Sequence, residues 1–138
     1  MADFNKFQDF IEQLGKGVHQ LHADGHQLKV YLSNHLPLAA DTLKTDIPGI
    51  TEQNGYAAAD IANDWSEAAG VGTLVGTDVE WTATAGGFGP FQYAVIYNED
   101  AASPLDALVC WWDYGSSISC AVGEKFKVDF GASILTIA

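Results

Sequence analysis

The period of the apolar positions changes near residue 27, and that change divides the chain. Before it, Phe4, Phe7, Phe10, Ile11 and Leu14 recur at intervals of three and four, the spacing of one helical face, and Gly15 follows as a stop. The spacing predicts a short amphipathic helix over residues 4–14 within an N-terminal arm of residues 1–26. Such a helix either closes an open end of its own core or docks on a neighbouring subunit. In the second case Phe4, Phe7 and Phe10 are the contact side chains.

From Gln27 onward the period is two. Leu28, Val30 and Leu32 alternate with Lys29, Tyr31 and Ser33, which predicts a half-buried strand ended by Asn34-His35-Leu36-Pro37. Residues 34–55 carry Pro37, Pro48, Gly49 and Asn54-Gly55 as turn signals with little periodicity, so a long irregular excursion is expected, with room for a short helix over residues 39–43. Loops of this length are uncommon inside compact domains and often make contacts.

The second half reads as β throughout. Strands are expected over residues 56–62, 72–76 and 77–84, the last with Val79, Trp81 and Ala83 alternating against Asp78, Glu80 and Thr82. Residues 91–97 place Phe91, Tyr93, Val95 and Tyr97 on one face, while residues 107–112 are apolar throughout and so predict burial on both faces. Phe126, Val128 and Phe130 alternate with Lys125, Lys127 and Asp129, and residues 134–137 make a last strand. Turns fall at Gly86-Gly87, Gly89-Pro90, Ser103-Pro104, Gly115-Ser116, Gly123-Glu124 and Gly131. The expected fold is all-β: one domain over residues 1–138, an antiparallel, jelly-roll-like sandwich of about eight strands with a short N-terminal helix.

Charge narrows the partners. Eighteen acidic against six basic residues leave a net charge of -12, which repels phosphate backbones and argues against nucleic acid. A partner that uses electrostatic steering should be basic or neutral. Charged residues make up only 17% of the chain, low for a domain that shows all its surface to water, so part of that surface is expected to be covered. Met1-Ala2-Asp3-Phe4 lacks the start of a signal peptide and no run reaches the roughly 20 apolar residues of a membrane span, so synthesis in the cytosol and no membrane partner are expected.

Candidate chemistry is sparse. Cys110 and Cys120 lie ten apart, a spacing that a hairpin could bring together but that fits no CxxC pattern, and both are expected to be reduced and structural. His19, His22 and His26 fall within eight residues and invite zinc, but no cysteine or nearby glutamate completes a ligand set, and solvated loop histidines are the expectation. The carboxylates are dispersed, and neither a GxSxG nucleophile nor a phosphate loop occurs, so the chain is expected not to be an enzyme and to need no cofactor or metal. The most distinctive segment is Val109-Cys110-Trp111-Trp112-Asp113-Tyr114-Gly115. Adjacent strand residues point to opposite faces, so at most one indole sits in the inner core and the other meets a second layer, a loop or a partner. Trp111 therefore joins Phe4, Phe7 and Phe10 as a candidate interface residue.

LKVYLSN over residues 28–34, Pro37, Asn54-Gly55-Tyr56, GPFQYAVIYN over 89–98, LVCWWDYGSSIS over 108–119 and GEKFKVDF over 123–130 together resemble a family of small structural proteins encoded among the head genes of tailed bacteriophages. The likeness runs from about Phe4 to Ala138. It departs from the family pattern at Gln92, where a basic residue is typical, and at Ala58-Ala59-Asp60, where a glycine pair is typical. The resemblance implies a virion structural protein, and within that class a capsid decoration, or cement, protein. Such a protein binds the phage major capsid protein on the capsid exterior, bridges capsomers and self-associates. Alternatives are a phage tail or fibre component and a carbohydrate-binding sandwich using Trp111 or Trp112 as a stacking platform.

Overall fold

The computed structural model describes residues 2–138. In chain order the elements are β1 (Asp3–Lys6), α1 (Gln8–Gly15), β2 (Leu28–Ser33), a 3₁₀ turn (Lys44–Asp46), β3 (Ala59–Ile61), β4 (Asp64–Ala68), β5 (Val71–Val75), β6 (Val79–Thr82), β7 (Phe88–Asn98), β8 (Leu108–Cys120), β9 (Lys125–Val128) and β10 (Leu135–Ile137). The fold is all-β and sandwich-like, and its strand pairs are antiparallel. One layer is a five-stranded sheet in the order β1-β8-β7-β2-β3; the other is divided into a three-stranded sheet, β10-β5-β4, and a two-stranded ribbon, β6-β9.

The main core lies between these layers. Leu28, Val30 and Leu32 of β2, Ala94 and Ile96 of β7 and Cys110 of β8 meet Leu74 of β5, Trp81 of β6, Val128 of β9 and Leu135 of β10. Val109 joins the same cluster as Cys110 because the register slips there: Ile96 pairs with Cys110 but Tyr97 pairs with Leu108, leaving Val109 as the extra residue of a bulge. Tyr56, from the Asn54-Gly55-Tyr56 motif, packs on Trp81 at 5.3 Å and Phe88 at 5.5 Å, and its hydroxyl accepts the Leu32 N–H at 2.8 Å. The turn that aims it requires glycine: Gly55 has φ +92°, and a Cβ there would strike the Thr82 carbonyl oxygen.

A second cluster occupies the opposite face of the large sheet. Phe7, Tyr31, Ile47, Tyr93, Val95, Tyr97, Leu108 and Trp111 pack together there, beneath the 34–55 excursion. The Tyr31 hydroxyl donates to the Ile47 carbonyl at 2.8 Å, the Ser33 hydroxyl to the Pro48 carbonyl at 2.6 Å, and the Ile50 N–H to the Leu32 carbonyl at 2.9 Å. The strand over 28–33 is therefore buried on both faces and not half-buried, because the excursion covers Tyr31 and Ser33. The same cover explains the apolar run at 107–112, which is buried on both faces as far as Trp111, with Trp112 half-buried.

Several local expectations need correction. No helix starts at Phe4: residues 3–6 pair antiparallel with residues 110–113 of β8, and α1 begins at Gln8 after an extended Phe7. The open edge of β8 satisfies the backbone groups of residues 3–6, most of which a helix start would leave without partners. Gly115-Ser116 does not end a strand, since β8 runs on to Cys120. The signal there marks a bulge instead: Phe91 pairs with Ile118 and Tyr93 with Asp113, so residues 114–117 stand opposite Gln92 alone. Gly115 takes φ +83° and its N–H is held at 2.7 Å by the Asp113 carboxylate, which also accepts from Gln92 Nε2 at 3.0 Å. The register break also splits the predicted aromatic face of β7, sending Phe91 to the main core and Tyr93, Val95 and Tyr97 to the outer cluster. Strands β1 and β4 are additions to the predicted set, and the excursion holds one 3₁₀ turn at Lys44–Asp46 in place of a helix over 39–43.

Candidate docking surface

Three of the four predicted interface residues are interior. Phe7 and Phe10 are fully buried, and Trp111 lies against Phe7 with ring centroids 4.4 Å apart. In this fold α1 closes its own core: Phe10 belongs to the main cluster, and the start of the helix is tied down by Phe7 N–H to Val109 O at 3.2 Å and Gln8 N–H to Ala39 O at 2.9 Å. These side chains were plausible contacts from sequence only because helical spacing does not distinguish a self-directed face from a partner-directed one. Phe4 alone is open, 42% exposed on the edge strand, with its ring 5.6 Å from Trp112.

Exposed leucines are found instead at the start of the excursion and on the loop between β7 and β8. Leu36 and Leu38 are each 58% exposed and Leu105 is 63% exposed. Their segments are joined by backbone bonds: Leu43 bridges Ala107, Lys44 N–H donates to Asp106 O at 3.1 Å, and Leu108 N–H donates to Thr42 O at 3.0 Å. The α1 start is attached through Ala39, and an open depression of about 460 Å³ lined by Asp9, Gln13, Lys16, Val18, Thr42, Ser103 and Pro104 lies between helix and loops. The excursion thus has two jobs. Its second half is pinned over the outer cluster by Ile47, while its first half projects Leu36 and Leu38 into solvent.

Electrostatics leave this surface without a basic patch. Lys16 pairs with Glu12 at 2.7 Å, Lys29 with Glu99 at 3.2 Å and Asp60 at 3.5 Å, Lys125 with Glu80 at 3.7 Å, and Lys127 with Asp78 at 3.4 Å. Lys44 sits over the rings of Tyr31 and Tyr97, at 5.3 and 4.8 Å from their centroids. With most lysines occupied inside the chain, the excess carboxylates dominate the field at the surface.

The histidines are not all solvated. His19 is buried, because residues 19–27 fold back on the end of β7, where Glu99 N–H donates to Gln27 O at 3.1 Å. Asn98, itself fully buried, places its amide nitrogen 3.1 Å from His19 Nδ1 and 3.0 Å from His26 Nδ1. Asn63 fixes the same loop by donating to Leu21 O at 3.0 Å and His26 O at 3.1 Å while accepting from Leu28 N–H at 3.2 Å. The two rings are committed to Asn98, and His22 remains exposed. The local sequence groups the two histidines but does not signal their partner, since Asn98 lies more than seventy residues from both.

Both thiols are free and buried, Cys110 and Cys120 lying at opposite ends of β8 and not across a hairpin; burial pushes both thiols up. Trp112 is half-buried between Phe4 and Phe130, and with Ala2, Tyr114, Lys127, Val128 and Asp129 it lines a shallow cleft of about 280 Å³. Among the described residues no helix is long and apolar enough to cross a membrane. No protein-family model, curated protein or solved structure matches the chain.

Proposed function

We propose that this chain is a structural virion protein of a tailed bacteriophage that decorates the outer capsid lattice and bridges capsomers. The motif resemblance supplies the class. The observation that carries the docking role is the set of exposed leucines on the loops at Leu36, Leu38 and Leu105, three of the six large apolar side chains left in solvent beside Phe4, Ile11 and Val122. Burying a leucine contributes about 1.5–3 kcal/mol, and a lattice repeats the same contact many times. The acidic field favours a basic or neutral face on the major capsid protein and disfavours attachment through the packaged nucleic acid.

The test is co-sedimentation of the purified chain with expanded phage heads that lack it. Saturable pelleting with the heads supports decoration; recovery with tails or fibres alone moves the chain to the tail. The cleft beside Trp112 and Tyr114 favours a second reading, carbohydrate binding, because it offers two partly open aromatic rings beside Lys127 and Asp129. A glycan array would decide that reading, and an absence of binding would remove it.

A further inference from the structure

The contacts among His19, Asn98 and His26 leave no place for a second proton on either ring. Asn98 Oδ1 accepts the Asp100 N–H at 3.0 Å, which turns the amide nitrogen toward the rings, 3.1 Å from His19 Nδ1 and 3.0 Å from His26 Nδ1. An amide nitrogen donates two hydrogens and accepts none, so both Nδ1 atoms act as acceptors. A proton added to either one would meet an amide hydrogen. His19 is the stricter case. It is buried against Phe10, with ring centroids 5.1 Å apart, and its Nε2 is buried with no hydrogen-bond partner. An imidazolium at that position would find an acceptor at neither nitrogen.

The charged groups around the loop are engaged elsewhere. On the loop itself His22 and Asp24 are exposed. Asp64 of β4 accepts the Ala23 N–H at 3.0 Å, Asp100 beyond β7 accepts the Gln27 N–H at 2.7 Å, and Glu99 pairs with Lys29 at 3.2 Å. On α1 Asp9 accepts from Gln13 Nε2 at 3.3 Å and Glu12 pairs with Lys16 at 2.7 Å. Among the described residues no carboxylate bonds to either ring. Burial and the neighbouring His26 push the His19 pKa down to about 4, whereas a ring freed into water returns to about 6.5. The closed loop is therefore fully favoured above pH 6.5 and loses that advantage as the pH falls toward 4.

We propose that residues 19–27 form an acid-released strap: protonation of His19 or His26 breaks the contacts with Asn98, and the strap leaves the end of β7 while both sheet layers stay folded. The strap suits local opening because Gln20, His22, Ala23 and Asp24 are already exposed and Leu21 is its one buried apolar side chain. Its release uncovers Leu21 and the Phe10 ring beneath His19. The inference does not rest on the head-decoration reading.

The test is native-state hydrogen exchange of the full chain, read by NMR at pH 7 and pH 5 over a series of low urea concentrations. The opening constant reported by the Ala23, His26 and Gln27 amides should rise about twentyfold from pH 7 to pH 5, the linkage expected for His19, in a window above the ordinary carboxylate range. Global unfolding frees the same ring, so amides of β2 and β7 also respond to pH. Urea separates the two events. Local opening exposes little surface and should be nearly independent of urea, whereas the core amides should follow the slope of global unfolding. Asn98→Asp gives each ring an acceptor for an Nδ1–H and should cancel the rise; where that variant fails to fold, the wild-type comparison decides alone. Strap amides that share the protection and urea slope of the core, an opening constant unchanged between pH 7 and pH 5, or the full rise retained in Asn98→Asp would each overturn the proposal.

Discussion

Trp111 and Trp112 are neighbours in the chain and belong to opposite faces of the large sheet. Trp111 packs on Phe7 at 4.4 Å in the outer cluster, whereas Trp112 touches Phe4 at 5.6 Å and Phe130 at 5.4 Å near the sandwich mouth. Trp111→Ala should cost about 3–5 kcal/mol in urea unfolding, the range for deleting a buried aromatic, and Trp112→Ala clearly less. Iodide quenching separates them independently: Trp112→Phe should reduce the quenchable indole fluorescence, and Trp111→Phe should leave it nearly unchanged.

Phe7 holds the start of α1 to the body of the protein. Phe7→Ala should destabilise by about 3–5 kcal/mol. In hydrogen exchange the amides of Phe7 and Gln8, bonded to Val109 O and Ala39 O, should be protected with the core. Rapid exchange at both would restore the N-terminal segment as a free arm.

His19 makes stability depend on pH with a definite sign. Its pKa is pushed down to about 4 in the folded chain from an ordinary 6.5, so between those values the unfolded state binds more protons. Its contribution is fully present above pH 6.5 and is lost as the pH falls toward 4, amounting to about 3 kcal/mol. Urea midpoints at pH 7, 5.5 and 4 should fall more steeply for the wild-type chain than for His19→Gln, the difference removing the contribution of the carboxylates. Parallel profiles would contradict the buried neutral ring.

Leu36→Glu, Leu38→Glu and Leu105→Glu should each change stability by about 0.5 kcal/mol or less, since these side chains stand in solvent. Their effect should instead be on attachment, with the triple variant failing to pellet with expanded heads. Full retention of binding in the triple variant would locate the docking surface elsewhere.

The interior was more legible in the sequence than the surface. Period-two alternation located β2, β6 and β9 because each has one regular face on the main core, and the motifs that carry the family resemblance fall largely on these core strands and on β7 and β8. β1 and β4 escaped because DFNK and DWSEA are largely exposed edge segments, whose pairing depends on a distant neighbour and leaves little pattern. The covering role of the excursion could have been inferred: Tyr93, Val95, Tyr97 and Trp111 need cover, and residues 34–55 are unassigned chain long enough to provide it. The break at Gln92 and the His19–Asn98–His26 network could not, since each depends on tertiary register. Of the proposed contact residues, only Phe4 remained at the surface, because the same apolar spacing serves a chain's own core and a partner's.

Head decoration is decided by cryo-electron microscopy of expanded heads incubated with the chain, paired with their thermal rupture. Regular added density should span adjacent capsomers, with the loops of Leu36, Leu38 and Leu105 against the shell and a raised rupture temperature. Bare heads that rupture at the same temperature with and without the protein would contradict it.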